Sequence, residues 1–199
     1  MLPHAKSARS LAEIPDHRYL SEMAKCIFRS GFVWRVVENK WDNFERVFHD
    51  FDPASCASMS DEELETLMRD TSIIRYFKKI KSVRDNAQFI LDIADEHDRF
   101  AKFISKWPED NIVELFGMLK KRGSRLGGHT GQYFLRYMGK DTFIFSKDVT
   151  AVLISQGIVD KEPSNQKELQ ATQQAFNQWK NESGRPLCQI SRILAMSVA

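Results

Sequence analysis

Cysteine is scarce in this chain of 199 residues: Cys26, Cys56 and Cys188 are all there is. An odd number at wide spacing, with no CxxC pair, excludes both a disulfide framework and a thiolate zinc site. No apolar run reaches the roughly 18–20 residues that a bilayer-spanning helix needs, and the polar N-terminus does not read as a signal peptide. Charge imbalance is also lacking. At a net +2, any affinity for a polyanion has to come from local clustering. Strand-like segments are few, "TFIF" at Thr142–Phe145 at most, and there is neither an internal repeat nor a low-complexity tract. What remains is an ordinary globular composition, 42% hydrophobic and 28% charged. A soluble, cytoplasmic, monomeric protein without a membrane segment is the expectation.

Helical periodicity runs through nearly every segment. "YLSEMAKCIFRSGF" sets Leu20, Met23, Ile27 and Phe28 near one face, and Gly31 interrupts the pattern. "FVWRVVENKWDNFERVFHDF" resumes it through Trp34, Val37, Trp41, Phe44 and Phe48, with Trp41 read as core. Ser60 and Glu63 form a capping box, and Ile73 to Ile93 reads as a longer helical region rich in cations. Pro108 can open a helix that ends at Gly123, and further helices are expected through Met138, over Lys147–Gln156, along "QKELQATQQAFNQWKNESG" and after Pro186. The fold class is all-α. A mobile start over residues 1–15 precedes one helical domain over 16–199.

"KKRGSRLGGHTGQYF", Lys120 to Phe134, crowds cations and glycines into a corner between two helices. The N-terminus of the second helix presents backbone N–H groups and partial positive charge, a natural seat for a phosphate. Gly127 and Gly128 let a phosphate approach the main chain, Thr130 adds a hydroxyl, and Lys120, Lys121, Arg122 and Arg125 supply the general attraction. A basic helix end needing no ligand is the competing reading. His129, alone in a glycine-rich turn, reads as a solvated donor.

The block "FHDFDPASCASMSDEELETLMRDTSIIRYFKKIKSVRDNAQFIL", Phe48 to Leu91, is similar to a pattern of the type I 3-methyladenine DNA glycosylases. These belong to the helix-hairpin-helix glycosylase superfamily. "SGFVW" and "LKKRGSRLGG" extend the resemblance from about Ser21 to Val152. It implies a helix-hairpin-helix DNA glycosylase fold, helical lobes around a cleft, with the hairpin near 118–138. It also implies excision of an alkylated purine from double-stranded DNA by flipping the nucleotide into an aromatic pocket. Trp34 matches the residue that stacks the flipped base, and Phe32 and Cys26 flank it as base-binding candidates.

The chain departs from the family where chemistry is concentrated. The base-recognising glutamate stands eight residues before the matching tryptophan, and that position here is Cys26. Glu22, one turn earlier on the same face, is a candidate carboxylate. The family's second pair of zinc ligands falls on Asp148 and Val152, so no metal and no cofactor are expected. The wider superfamily places a catalytic aspartate shortly beyond the hairpin. Asp148 is in about that place, although an ungapped match puts Ser146 there, and capping a helix is the commoner role for such an aspartate. The superfamily's lyase lysine falls on Gly128 or His129, which points away from Schiff-base chemistry. A monofunctional glycosylase is the reading; the alternative is a DNA-binding protein that kept the hairpin and lost the chemistry.

Overall fold

Helix starts are written locally in this chain. The Ser60 hydroxyl accepts from the Glu63 N–H at 3.1 Å while the Glu63 carboxylate accepts from the Ser60 N–H at 2.7 Å, closing the expected capping box. Asn165 and Glu168 repeat the device, and Asp52 caps a helix whose first residue is Pro53. The computed structural model describes residues 1–198. In chain order its helices are α1 (Ala8–Glu13), α2 (Asp16–Arg29), α3 (Trp34–Glu38), α4 (Trp41–Val47), α5 (Pro53–Ala57), α6 (Asp61–Leu67) and α7 (Phe77–His97). They continue as α8 (Phe100–Lys106), α9 (Ile112–Arg122), α10 (His129–Met138), α11 (Lys147–Ser155), α12 (Gln166–Ser183) and α13 (Leu187–Met196). Single 3-10 turns lie at His49–Phe51 and Glu109–Asn111.

Helix α2 is central because apolar residues cover most of its circumference. Leu20, Met23, Ala24, Ile27 and Phe28 are all buried, and the helix packs against both α7 and α10. Aromatic rings fill the space around it. Trp41, Phe44, Phe48 and Phe51 stack in series, and Tyr19 meets Phe100 and Phe134 edge-on. Trp41 is core, as its periodicity indicated.

Three sequence expectations are corrected. The start of the chain is docked rather than mobile: Leu11 is buried, its carbonyl accepts from the Tyr19 hydroxyl at 2.8 Å, and Arg99 donates to the carbonyls of Ala12 and Ile14. The helix expected through Trp34 to Phe48 breaks at Asn39–Lys40, and the Lys40 ammonium donates to the carbonyls of Thr71 and Ser72. Thr142–Phe145 forms no strand. Its Ile144 and Phe145 N–H groups are satisfied by the side chains of Ser191 and Gln132, while Phe143 stacks on Phe176 at 4.1 Å. Burial and backbone satisfaction are achieved there without a ladder.

Candidate active site

The site grows from the C-terminal end of α2. Lys79, nearly fully buried on α7, donates its ammonium to the carbonyls of Phe28 and Ser30 and so satisfies the last turn of α2. Burial, and next the charge of Arg125, push this lysine down to about 8. Gly31 follows at φ +76°, a conformation glycine adopts readily, and the chain reverses so that Trp34 opens α3.

Between this turn and α10 lies a cleft of about 200 Å³. Trp34, Tyr133 and Tyr137 form its aromatic wall. Trp34 meets Tyr133 edge-on at 6.4 Å, and Tyr133 stacks on Tyr137 at 5.8 Å. Trp34 is 50% exposed, so its ring has free surface to offer a planar ligand. Cys26 and Arg29 enter from α2, and His129 and Thr130 from the first turn of α10.

Arg29 carries the electrostatics. Its guanidinium lies 5.5 Å from the Trp34 ring centre and 5.1 Å from that of Tyr137, while Glu38 accepts from its Nε and Nη2. Glu22 accepts from Arg29 Nη1 and from the Cys26 thiol, each at 3.5 Å. Burial raises the Glu22 carboxyl above its ordinary value, against the pull of Arg29. Glu38 also pairs with Lys25 at 2.9 Å. Burial is the largest single influence on its carboxyl and pushes it up, but the hydrogen bonds and charges of Lys25 and Arg29 together outweigh it and hold the group below the usual carboxylate range. Burial next to Glu22 raises the Cys26 thiol far above its ordinary value, so it is no nucleophile.

The hairpin adjoins the cleft. Asn86, fully buried on α7, accepts from the Ser124 N–H at 2.8 Å and donates to the Ser124 carbonyl at 3.0 Å, pinning the turn. Arg125 sits at φ +62°, a left-handed backbone unusual for a side chain of its size. It borders a second hollow of about 340 Å³ with Gly127, Thr130 and Ser30. The glycine with the tightest steric demand is Gly131, where a Cβ would come within 2.3 Å of the Leu126 carbonyl oxygen.

These positions sort the expected site residues. Trp34, Cys26 and Thr130 meet in the cleft, and Glu22 stands directly behind Cys26. Phe32 lies at the rim, exposed, with the Lys79 ammonium 4.6 Å from its ring centre. Lys120, Lys121 and Arg125 are exposed with no carboxylate within 4.0 Å among the described residues. Arg122 differs: it pairs bidentately with Glu96 at 2.8 and 3.0 Å. Gly128, at φ +58°, precedes α10. Asp148 stands exposed on the first turn of α11, outside the lining of the cleft, and Ser146 rather than Asp148 caps that helix. The residues do not fit the family's zinc site, and among the described residues no three His, Cys, Asp or Glu side chains come together to hold a metal.

Sequence reasoning missed Arg29, Tyr133 and Tyr137 as residues of the cleft. His129, read as a solvated donor, is exposed and donates to the Phe145 carbonyl, and it also lines the cleft. The available signals were the spacing of Tyr133 and Tyr137, one helical turn apart, and of Arg29, one turn beyond Cys26.

A family model described as methyladenine glycosylase matches residues 13–125. DNA-3-methyladenine glycosylase 1 of Escherichia coli (strain K12) is 34% identical over 76 residues, 38% of this chain and 41% of that protein. DNA-3-methyladenine glycosylase of Haemophilus influenzae is 28% identical over 130 residues, 56% of this chain and 70% of that one. The match therefore spans less than half of the Escherichia coli protein. The structure of 3-methyladenine DNA glycosylase I from Staphylococcus aureus superposes with a TM-score of 0.55 and 25% identity, over 61% of this chain and 75% of that one.

Proposed function

The chain belongs to the methyladenine glycosylase family and has the helix-hairpin-helix DNA glycosylase fold, and we propose that it hydrolyses the N-glycosidic bond of alkylated purines, 3-methyladenine among them, in double-stranded DNA as a step of base excision repair. The observation that carries this reading is the half-exposed Trp34, in edge-on contact with Tyr133, in the aromatic wall of a small cleft beside the hairpin.

The duplex is anchored at the hairpin, where Lys120, Lys121, Arg125 and the start of α10 meet phosphates through charge and backbone N–H groups. The lesion is flipped into the cleft and stacks on Trp34. Phe32, exposed at the rim, is available to fill the space the base leaves. An N-alkylated purine is already a good leaving group, so the protein has chiefly to favour the positive charge that develops on the sugar and to admit a water. Glu22 is the carboxylate best suited to the first task, because it is held next to the cleft by Cys26 and Arg29. Asp148 is the second candidate, since α11 begins two residues beyond Phe145, whose carbonyl holds His129 of the cleft. No cofactor enters this chemistry.

The test is incubation of the purified chain with methylated duplex DNA, which should liberate 3-methyladenine and leave abasic sites. Loss of release in Glu22→Gln assigns the carboxylate to Glu22, and loss in Asp148→Asn assigns it to Asp148. An undiminished methylated-base content in the DNA would refute the reading.

A further inference from the structure

We propose that Lys79 is a positioning residue for the opening of DNA: its ammonium holds the Phe32 ring at the rim of the cleft, set to enter the gap that a flipped nucleotide leaves. The inference rests on the reading above that Phe32 fills that gap.

The turn that carries Phe32 has little of its own to fix the ring. Gly31 reverses the chain at φ +76°, and a Cβ at that position would meet nothing within 4 Å. Phe32, Val33 and Trp34 are exposed in succession. The Phe32 N–H donates to the Arg29 carbonyl at 3.2 Å, which fixes the backbone but not the side chain. A ring left unheld there samples several rotamers, and ordering it on contact with DNA costs affinity.

Lys79 supplies the hold from beneath. Its ammonium is itself anchored by the carbonyls of Phe28, at 3.3 Å, and of Ser30. Held there, it lies 4.6 Å from the centre of the Phe32 ring, inside the range over which a cation attracts an aromatic face. The rings of Tyr76 and Phe28 follow at 5.8 and 6.0 Å. Filling space does not account for a lysine at this place. Burial opposes its charge, Arg125 opposes it further, and no carboxylate is paired with it among the described residues. An apolar side chain would occupy the volume without that cost. What the ammonium adds is two capped carbonyls and an attraction for the ring. At 4% exposure Lys79 does not meet a phosphate itself, so its effect on a gapped duplex passes through the residues it touches.

The experiment compares an intact duplex with one holding a tetrahydrofuran abasic site and reads the ratio of the two affinities by fluorescence anisotropy. A charge lost from the protein weakens both complexes and cancels in that ratio. The wild-type chain is expected to favour the abasic duplex by about tenfold, the scale of one base–aromatic stack. Lys79→Met should lower that preference about threefold, the scale of a cation–π contact at an exposed ring. Lys79→Gln keeps an N–H donor for the end of α2 but no charge; it should lower the preference by the same factor, and it serves if Lys79→Met does not fold. Phe32→Leu keeps an apolar plug without a π face, and in that background the Lys79 substitutions should leave the preference unaltered. An equal loss in both backgrounds would make Lys79 a structural cap alone, and no loss in the wild-type background would show that the ring needs no hold. Either result overturns the proposal, while a preference lowered by Phe32→Ala keeps the reading of Phe32 intact. If Phe32→Ala retains the full abasic preference, that reading falls and the proposal with it. No arm depends on base release, so the outcome stands whether or not the chain is a glycosylase.

Discussion

Lys121 and Arg125 should set the salt dependence of DNA binding, and Arg122, their neighbour in sequence, should not. All three are cations of the same corner, but the structure divides them. Arg122 is bound to Glu96 through two hydrogen bonds, and that pairing raises its own proton affinity and lowers that of Glu96. Lys121 and Arg125 are exposed, and no carboxylate is paired with them among the described residues. Each phosphate contact contributes about 0.9 to the slope of log K against log salt on B-form DNA, so losing both contacts lowers the slope by about 1.8. Between about 50 and 200 mM salt that slope difference amounts to about 12-fold in affinity. The variant should be Lys121→Gln with Arg125→Asn, because asparagine tolerates the left-handed backbone at residue 125. The control is Arg122→Gln with Glu96→Gln, which removes the ion pair at constant net charge and should leave the slope unaltered. Fluorescence anisotropy of a labelled duplex at several salt concentrations measures both. The reasoning is refuted if the control lowers the slope as far as the Lys121/Arg125 variant does, or if that variant leaves it unchanged.

Trp34→Ala should reduce kcat/KM by about one to two orders of magnitude, the worth of one base-stacking contact, with little change in melting temperature because the ring is half exposed. Lys79 tests the electrostatics of the turn beneath it. Its folded value of about 8 lies below the ordinary lysine value of 10.5, so between those limits the unfolded chain binds more protons and stability rises with pH. The urea midpoint of the wild type should therefore climb relative to Lys79→Met from about pH 8 to 10, and a parallel course for the two would count against it. Leu11→Ala should cost about 2–5 kcal/mol by thermal or urea unfolding, since this side chain is buried. A negligible loss would return the start of the chain to the mobile status its sequence suggested.

Much of the scaffold was legible because local chemistry decides it. The capping box at Ser60, the glycine ending α9 and the Pro186 entry to α13 act over a few residues and appear where the pattern puts them. The docking of α1 was not legible, because Leu11 is one apolar residue in a polar stretch and its burial depends on Tyr19 and Arg99, the latter remote in sequence. The site divides in the same way. Trp34 came from a motif match and stands in the cleft. Tyr133, Tyr137 and Arg29 join it through the packing of α10 on α2, a contact that no spacing along the chain encodes. Arg122 and Lys121 are equivalent in sequence and become different through Glu96, 26 residues away.

The most direct test of the central claim is a single-turnover reaction of the full chain, in excess, with duplex DNA methylated at purine N3. Free base and abasic sites are quantified in the same tube as DNA binding. The account predicts equal amounts of released methylpurine and abasic site, with release slowed in Trp34→Ala. Salt-sensitive binding to the methylated duplex with no base released would contradict it and leave a DNA-binding protein without glycosylase chemistry.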